Sequence, residues 1–249
     1  MPNSIAIVQS DFGPMIINMK DTVIGAHVVK TGYWARDDLN IIIELIKFQL
    51  STREKVIFYD VGANIGTHSL AVAKTFGDRV FVRSFEAQRM IFNMLCGTMA
   101  INGLLNVQCH HLAVADKSRL EIEFDKPSHE ESYSHGSLEL LPTFGKSDNT
   151  EMLKTIKEKV TTTTLDDLKE HVDFIKMDIE GMEDKALQGM KNLIKGSRPI
   201  CFIELAKTNH MEVLDFFKES NYSGFQKIGD FVFIPKELGV VLQALPRLF

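Results

Sequence analysis

One stretch constrains the fold of this chain more than any other: an apolar run followed by a glycine-rich turn. Residues 56–60 predict a buried strand, and the residues that follow, as far as His68, predict a tight turn that opens a helix. A second apolar run, residues 79–85, ends on Glu86, which lies 20 residues after Gly66. This is the layout of a nucleotide-binding βαβ unit, in which the strand-end acid accepts hydrogen bonds from two ribose hydroxyls. The sequence therefore predicts a ligand that contains adenosine.

The chemistry of the turn narrows the choice of ligand. Its pattern is Asp60-x-Gly62-x-Asn64-x-Gly66, not the G-x-G-x-x-G of dinucleotide-binding proteins. Asn64 takes the place of a frequent glycine, and asparagine tolerates left-handed backbone well. An acid at Asp60 repels a pyrophosphate but suits an ammonium group. S-adenosylmethionine has an α-amino group and a sulfonium and no phosphate, so the turn favours this cofactor; no P-loop motif is present.

Composition restricts the remaining function classes. The 249 residues are 45% hydrophobic and 24% charged, as in an ordinary globular protein. A net charge of −5 argues against nucleic acid as a partner, because phosphate binding needs clustered lysine and arginine. We expect no signal peptide and no membrane span. The three scattered cysteines read as core residues in a reducing compartment, so we expect a cytoplasmic protein. Nothing in the sequence indicates its oligomeric state.

Residues 1–50 predict a cover that precedes the first nucleotide-binding strand. Its elements are a hairpin of residues 4–9 and 14–19, a third strand over 21–29, and a helix that Asp37 or Asp38 caps, with an inner face of Ile42, Leu45 and Ile46. We expect this cover and a domain over residues 51–249 to form one structural unit.

From residue 56 onward, strands and helices alternate. The predicted strands are 56–60, 79–85, 107–115, 120–124, 158–164, 172–178, 199–205, 223–228 and 231–235, and the predicted helices are 67–76, 88–101, 165–170, 182–195 and 210–219. Alternation of this kind predicts an α/β fold with a mostly parallel sheet and helices on both faces. The last two strands are joined by a short turn at Gly229-Asp230 and predict an antiparallel edge.

Residues 125–150 interrupt this alternation. They have few aliphatic residues and no clear period, and a loop of this length inside a compact domain is usually functional or disordered. We expect it to lie on the acceptor side of the site, with His129, Tyr133, His135 and Phe144 facing a hydroxylated ligand.

A second group of acids follows the strand over residues 172–178. That strand ends on Asp178, and Glu180 lies in the turn to the next helix; residues 199–205 include a further strand-end acid, Glu204. Ligands of open α/β sheets bind beyond the carboxyl ends of the strands, so these acids should converge with Asp60 and Glu86. For Glu183 we favour a structural role at the helix N-terminus.

These motifs together resemble the FkbM family of S-adenosylmethionine-dependent methyltransferases. The matching segments, in family order over roughly residues 30 to 235, are 59–66, 84–88, 163–168, 173–183 and 202–204. The Asp178-x-Glu180-Gly181-x-Glu183 segment is the most specific of them. The family's Glu-Pro strand end is Glu86-Ala87 here, and a frequent histidine after the last acid is replaced by Leu205-Ala206-Lys207.

The resemblance implies a Rossmann-like class I methyltransferase fold and transfer of a methyl group from S-adenosylmethionine, typically to a hydroxyl of a sugar or natural product. The expected acceptor is therefore a small molecule or a saccharide. The expected catalytic residues are Asp178 and Glu180, with His68 as a reserve base. The expected cofactor-binding residues are Asp60, Gly62, Ala63, Asn64, Gly66, Thr67, Glu86, Ala113 and Asp178.

Alternatives remain at this point. A nicotinamide-dependent oxidoreductase uses a similar βαβ unit, and a non-catalytic protein could bind the same cofactor. We expect no metal, although Asp178, Glu180 and Glu204 offer hard oxygen ligands for a divalent cation. Lys176, Asp178, Lys207 and Glu204 loosely resemble the lysine–acid sets of RNA ribose methyltransferases, but the acidic composition argues against RNA.

Overall fold

Strands and helices alternate along most of the chain. The computed structural model describes residues 4–140, 155–208 and 210–249. Its strands are β1 (Ile5–Ser10), β2 (Gly13–Asn18), β3 (Val56–Val61), β4 (Val80–Glu86), β5 (Val107–His111), β6 (Ala113–Val114), β7 (Glu121–Pro127), β8 (Thr155–Thr163), β9 (Phe174–Met177), β10 (Ile200–Glu204), β11 (Tyr222–Lys227) and β12 (Asp230–Pro235). Its α-helices are α1 (Ile24–Thr31), α2 (Arg36–Leu50), α3 (Thr67–Phe76), α4 (Arg89–Ile101), α5 (Glu183–Gln188), α6 (Lys191–Ser197) and α7 (His210–Glu219).

A seven-stranded sheet forms the centre of the molecule. Its order is β11-β12-β10-β9-β3-β4-β5, and the five strands from β10 to β5 run parallel. Strands β12 and β11 add an antiparallel edge. The fold class is therefore the predicted one: a Rossmann-like α/β fold whose mostly parallel sheet ends in a reversed strand pair.

Side chains on the two faces of the sheet enter separate cores. In β3, Phe58 packs in a core with Ile42 and Ile46 of α2, whereas Tyr59 packs in another with Leu193 of α6. Successive strand residues point to opposite faces, so one strand serves both layers. This two-sided burial explains the nearly continuous apolar runs that predicted the parallel strands.

The N-terminal elements confirm two predictions and overturn two others. The hairpin β1–β2 forms, and the inner face predicted for α2 is buried. The third strand expected over 21–29 is instead helix α1, because the Asp21 carboxylate accepts the amides of Val23 and Gly25 and starts a helix. Helix α2 begins at Arg36, so Asp37 and Asp38 lie in its first turn and do not cap it.

The cover shares a core with the rest of the chain. Met15 and Ile17 of β2 pack against Leu95 and Met99 of α4 in one apolar cluster. The division at residue 50 stays a prediction. No helix in the described ranges is both long and apolar enough to cross a bilayer.

Two predicted elements are divided in the structure. The strand expected over 107–115 is β5 followed by β6, which leaves the main sheet and joins β8 and β7 in a small second sheet. The helix expected over 182–195 is α5 and α6. A side chain at Gly189 would meet the carbonyl oxygen of Ala115 at 2.2 Å, so the break coincides with a close backbone approach.

The turn after β3 rests directly on the turn after β9. Gly62 has φ +77°, and a Cβ atom there would lie 1.8 Å from the carbonyl oxygen of Asp178. The amide of Asp178 donates to the carbonyl oxygen of Val61 at 3.0 Å. Glycine at position 62 therefore lets the two turns that carry the predicted site residues touch.

We expect Gly62→Ala to destabilise the protein much more than Gly229→Ala. Gly229 has a similar φ of +81° but no described atom within 4 Å of an added Cβ, so both variants carry the same backbone penalty. That penalty is roughly 1–2 kcal/mol, and the clash at Gly62 should add about 2 kcal/mol or more. Urea denaturation measures both. Equal losses in the two variants would show that the contact between the turns is unimportant.

Candidate functional site

A cavity of about 230 Å³ opens at the carboxyl ends of the parallel strands. Its wall includes the turn after β3, the end of β4 and the turn after β9, together with Trp34 from the N-terminal cover. Most of the residues predicted for the site line it: Gly62, Ala63, Asn64, Thr67, His68, Glu86, Ala113, Asp178 and Glu180. The sequence-predicted groups thus come together at the edge where ligands of such sheets bind.

Asp60 does not line this cavity, contrary to the expectation that it meets a cofactor ammonium. It is 0% exposed, and one carboxylate oxygen accepts a hydrogen bond from the Ser69 hydroxyl at 2.6 Å. The other oxygen lies 3.7 Å from the Nζ of Lys176. The ammonium group next to Asp60 therefore belongs to the protein itself.

Gly66 is also set back from the cavity wall. Its φ is +91°, and a Cβ there would contact the side chains of Leu95 and Met99 at 2.7 and 2.6 Å. These contacts show that Gly66 lets α4 pack closely against the start of α3. Its expected contact with the cofactor is not supported by this placement.

Glu86 is buried at the end of β4 but still faces the cavity. It is 6% exposed, and its two oxygens accept the backbone amides of Asn64 at 3.0 Å and Gln88 at 2.7 Å. Asn64 has φ +51°, the left-handed conformation expected from the sequence. Burial raises the pKa of Glu86 to about 7, although both amides act against this rise. A carboxylate offers about four acceptor positions, so Glu86 can accept further hydrogen bonds from a ligand.

Three further acids that line the cavity form a cluster. Carboxylate oxygens of Asp178, Glu180 and Glu204 all lie within 4.8 Å of one another. Burial and the neighbouring Asp178 raise the pKa of Glu180 to about 7, and burial, Asp178 and Glu180 raise that of Glu204 to about 8. Removal from water and mutual repulsion both disfavour the charged forms.

Two lysines supply positive charge to this cluster. Lys176 lies 3.4 Å from Asp178, and Lys207 lies 2.8 Å from Glu180. Lys207 also donates to the carbonyl oxygen of Ser137 at 2.9 Å, so it joins the acid cluster to the cavity wall. Sequence reasoning noted both lysines but gave neither a role in this site.

Glu180 and Glu183 make different contacts around the turn after β9. Glu180 has φ +54°, a strained conformation for a residue with a side chain, and its carboxylate lines the cavity. Glu183 begins α5 and accepts the amides of Ile179 at 2.9 Å and Gly181 at 3.1 Å. These contacts are consistent with the structural role at the helix N-terminus that the sequence predicted for Glu183.

His68 lies at the start of α3 and is 7% exposed. Burial and the positive charge of Lys176 lower its pKa, so the ring is neutral at pH 7. Among the residues that the structure describes, its Nε2 has no hydrogen-bond partner. A neutral imidazole can accept a proton, so a role for His68 as the reserve base stays a prediction.

Residues of the 125–150 segment line the cavity, but they are not the ones that the sequence predicted. The His135 ring packs against the rings of His129 and Tyr133, and His135 is 1% exposed. None of the three lines the cavity, and Phe144 lies outside the described residues. The wall residues of this segment are Ser134, Gly136, Ser137, Leu138 and Leu140. The histidine cluster instead anchors the wall, with the His135 carbonyl accepting a hydrogen bond from Gln88 at 2.9 Å.

A family model for the methyltransferase FkbM domain matches residues 60–223, which is more than half of the chain. The chain belongs to the FkbM methyltransferase family. The match spans the glycine turn, Glu86 and the acid cluster, the motifs on which the resemblance was based. Membership of a methyltransferase family argues against the nicotinamide-dependent alternative. No curated protein sequence matches the chain.

The chain also aligns with solved structures. Methyltransferase FkbM from Methylobacillus flagellatus aligns with a TM-score of 0.50 at 17% identity, over 72% of this chain and 44% of that one. Precorrin 8w decarboxylase from Methanobacterium thermoautotrophicum aligns with a TM-score of 0.48 at 12% identity, over 91% and 98%. Precorrin-6y C5,15-methyltransferase from Geobacter metallireducens aligns at 0.45 and 9%, over 76% and 83%. The chain thus spans less than half the length of the Methylobacillus FkbM protein.

Proposed function

We propose that this protein uses S-adenosylmethionine to methylate a hydroxyl group of a small-molecule acceptor such as a sugar or natural product. The observation that carries the proposal is the position of Glu86, a strand-end carboxylate that faces the cavity with unused acceptor positions. Its surroundings match the ribose-binding acid of an adenosyl cofactor.

The residues of the cavity fit this cofactor. Glu86 would hold the ribose hydroxyls, and Gly62, Ala63, Asn64 and Ala113, which line the same cavity, would contact other parts of the cofactor. Asp178 offers a carboxylate to the positively charged end of the molecule. When bound, S-adenosylmethionine supplies an electrophilic methyl group.

Glu180 is the best-supported general base. An attacking hydroxyl loses its proton as it gains the methyl group, and a positioned base contributes ~10²–10⁴-fold to such a step. The pKa of Glu180 is raised to about 7 by burial and by Asp178, which places it near a working pH. The strained turn and Lys207 fix its orientation toward the cavity.

The wall of the cavity supports a small acceptor with both polar and apolar parts. Trp34, Leu138 and Leu140 provide apolar surface, and Glu180 and Glu204 provide hydrogen-bond acceptors. The net charge of −5 remains the argument against nucleic acid. The cytoplasmic location stays a prediction that rests on the scattered cysteines.

We expect the protein to bind S-adenosylmethionine but not NAD, and we expect Glu86→Ala to weaken binding ~10–100-fold. Each charge-assisted hydrogen bond to the ribose is worth ~1.5–3 kcal/mol, part of which water restores in the variant. Isothermal titration calorimetry measures the affinities, with the exposed Glu44→Ala as a control and thermal melting as a check on folding. An unchanged affinity in Glu86→Ala would remove the ribose assignment.

The methyl-transfer reaction requires a separate test. Formation of S-adenosylhomocysteine in a panel of monosaccharides and hydroxylated natural products should identify a competent acceptor. With it, we expect Glu180→Gln to lower turnover ~10²-fold or more while cofactor affinity stays within a few-fold. The exposed Glu121→Gln is the matched control.

Three results would each contradict one part of the proposal. Near wild-type turnover of Glu180→Gln would exclude it as the base. Loss of wild-type activity on dialysis against EDTA would favour a divalent cation among the acids. Tight cofactor binding without turnover of any acceptor would favour a non-catalytic protein.

A further inference from the structure

Lys176 is a buried lysine that lies close to two acids, Asp60 and Asp178. Lys176 is on β9 beside Asp60 of β3 and is 6% exposed. Its Nζ donates to the carbonyl oxygen of Gly62 at 3.2 Å and to Asp178 at 3.4 Å, and lies 3.7 Å from Asp60. This single ammonium thus contacts the glycine turn and both acids.

The charge on this lysine is maintained by its neighbours. Burial lowers the pKa of Lys176, but Asp178 and Asp60 outweigh that effect and the pKa is raised. The ammonium is therefore present at neutral pH. Because one positive charge faces two carboxylates, the trio of Asp60, Lys176 and Asp178 has a net charge of −1.

The two carboxylates differ in what they can reach. Asp60 is 0% exposed, accepts the Ser69 hydroxyl and does not line the cavity. The side chain of Asp178 is 37% exposed and does line it. The uncompensated negative charge of the trio is consequently available to a ligand at Asp178 alone.

Resting on the proposed function, we propose that Lys176 is a positioning residue for the cofactor. It neutralises Asp60 and holds the Asp178 carboxylate in place to bind the α-ammonium group of the methionine end. Asp178 therefore binds the cofactor ammonium that the sequence had assigned to Asp60, because Lys176 neutralises Asp60 and orients Asp178.

Hydrogen bonding supports this role, because the Lys176 ammonium donates both to Asp178 and to the carbonyl oxygen of Gly62. Without the lysine, Asp178 would keep a buried acid as its neighbour, and the Gly62 carbonyl would lose its donor. The ammonium site would then be less ordered, and the ribose site at Glu86, whose hydrogen bonds come from the Asn64 and Gln88 amides and not from Lys176, would change less.

The test compares S-adenosylhomocysteine with 5′-methylthioadenosine by calorimetry. Both contain adenosine and a thioether, but only the first has the amino-acid end. In Lys176→Met we expect the affinity for S-adenosylhomocysteine to fall ~10-fold or more, the effect of one charge-assisted hydrogen bond. The affinity for 5′-methylthioadenosine should stay within about twofold. Lys47→Met, at an exposed site, should change neither.

A second variant controls for misfolding of Lys176→Met. Lys176→Met leaves Asp60 buried without a counter-charge, so the double variant Asp60→Asn/Lys176→Met removes both charges together. It should fold and still show the selective loss of S-adenosylhomocysteine affinity. Asp178→Asn should give the same selective loss.

The outcomes separate this inference from the proposed function. If the wild-type protein binds neither ligand, the proposed function fails. If it binds both, but the double variant loses the two affinities equally or loses neither, Lys176 has only a structural role and the inference is wrong.

Discussion

The site depends on one close contact: the backbone of Gly62 against the carbonyl group of Asp178. This contact joins the turn after β3 to the turn after β9, two turns that are far apart in sequence. The amide of Gly62 also donates to the carbonyl oxygen of Phe85 at 3.0 Å, which ties the same turn to β4. Glu86 and the acid cluster, which line one cavity, are therefore held by turns that are tied to each other.

Electrostatic balance decides what that cavity can do. Burial alone would neutralise its acids, and it raises the pKa values of Glu86, Glu180 and Glu204. Lys207 opposes this effect at Glu180, and Lys176 lies 3.4 Å from Asp178. The two lysines thereby give neighbouring carboxylates different environments, which is the condition for one to bind a cation and another to accept a proton.

The sequence predicted what depends on local pattern and missed what depends on neighbouring strands. The apolar runs gave β3, β4 and β9, and the strand-end acids gave the edge of the sheet. The pairing of Asp60 with Lys176 could not be predicted, because the two residues become adjacent only when β3 and β9 pair. The helix over 24–31 was missed because Asp21 starts it through its side chain. Lys207 reaches the segment at Ser137 through a tertiary contact that no sequence spacing encodes.

A crystal structure with bound S-adenosylhomocysteine would show which carboxylate contacts which part of the ligand. We expect both ribose hydroxyls within hydrogen-bond distance of Glu86, and the amino group within hydrogen-bond distance of Asp178. Asp60 should remain paired with Lys176 behind the cavity wall. Density for the ligand outside this cavity, or with its ribose away from Glu86, would contradict the account.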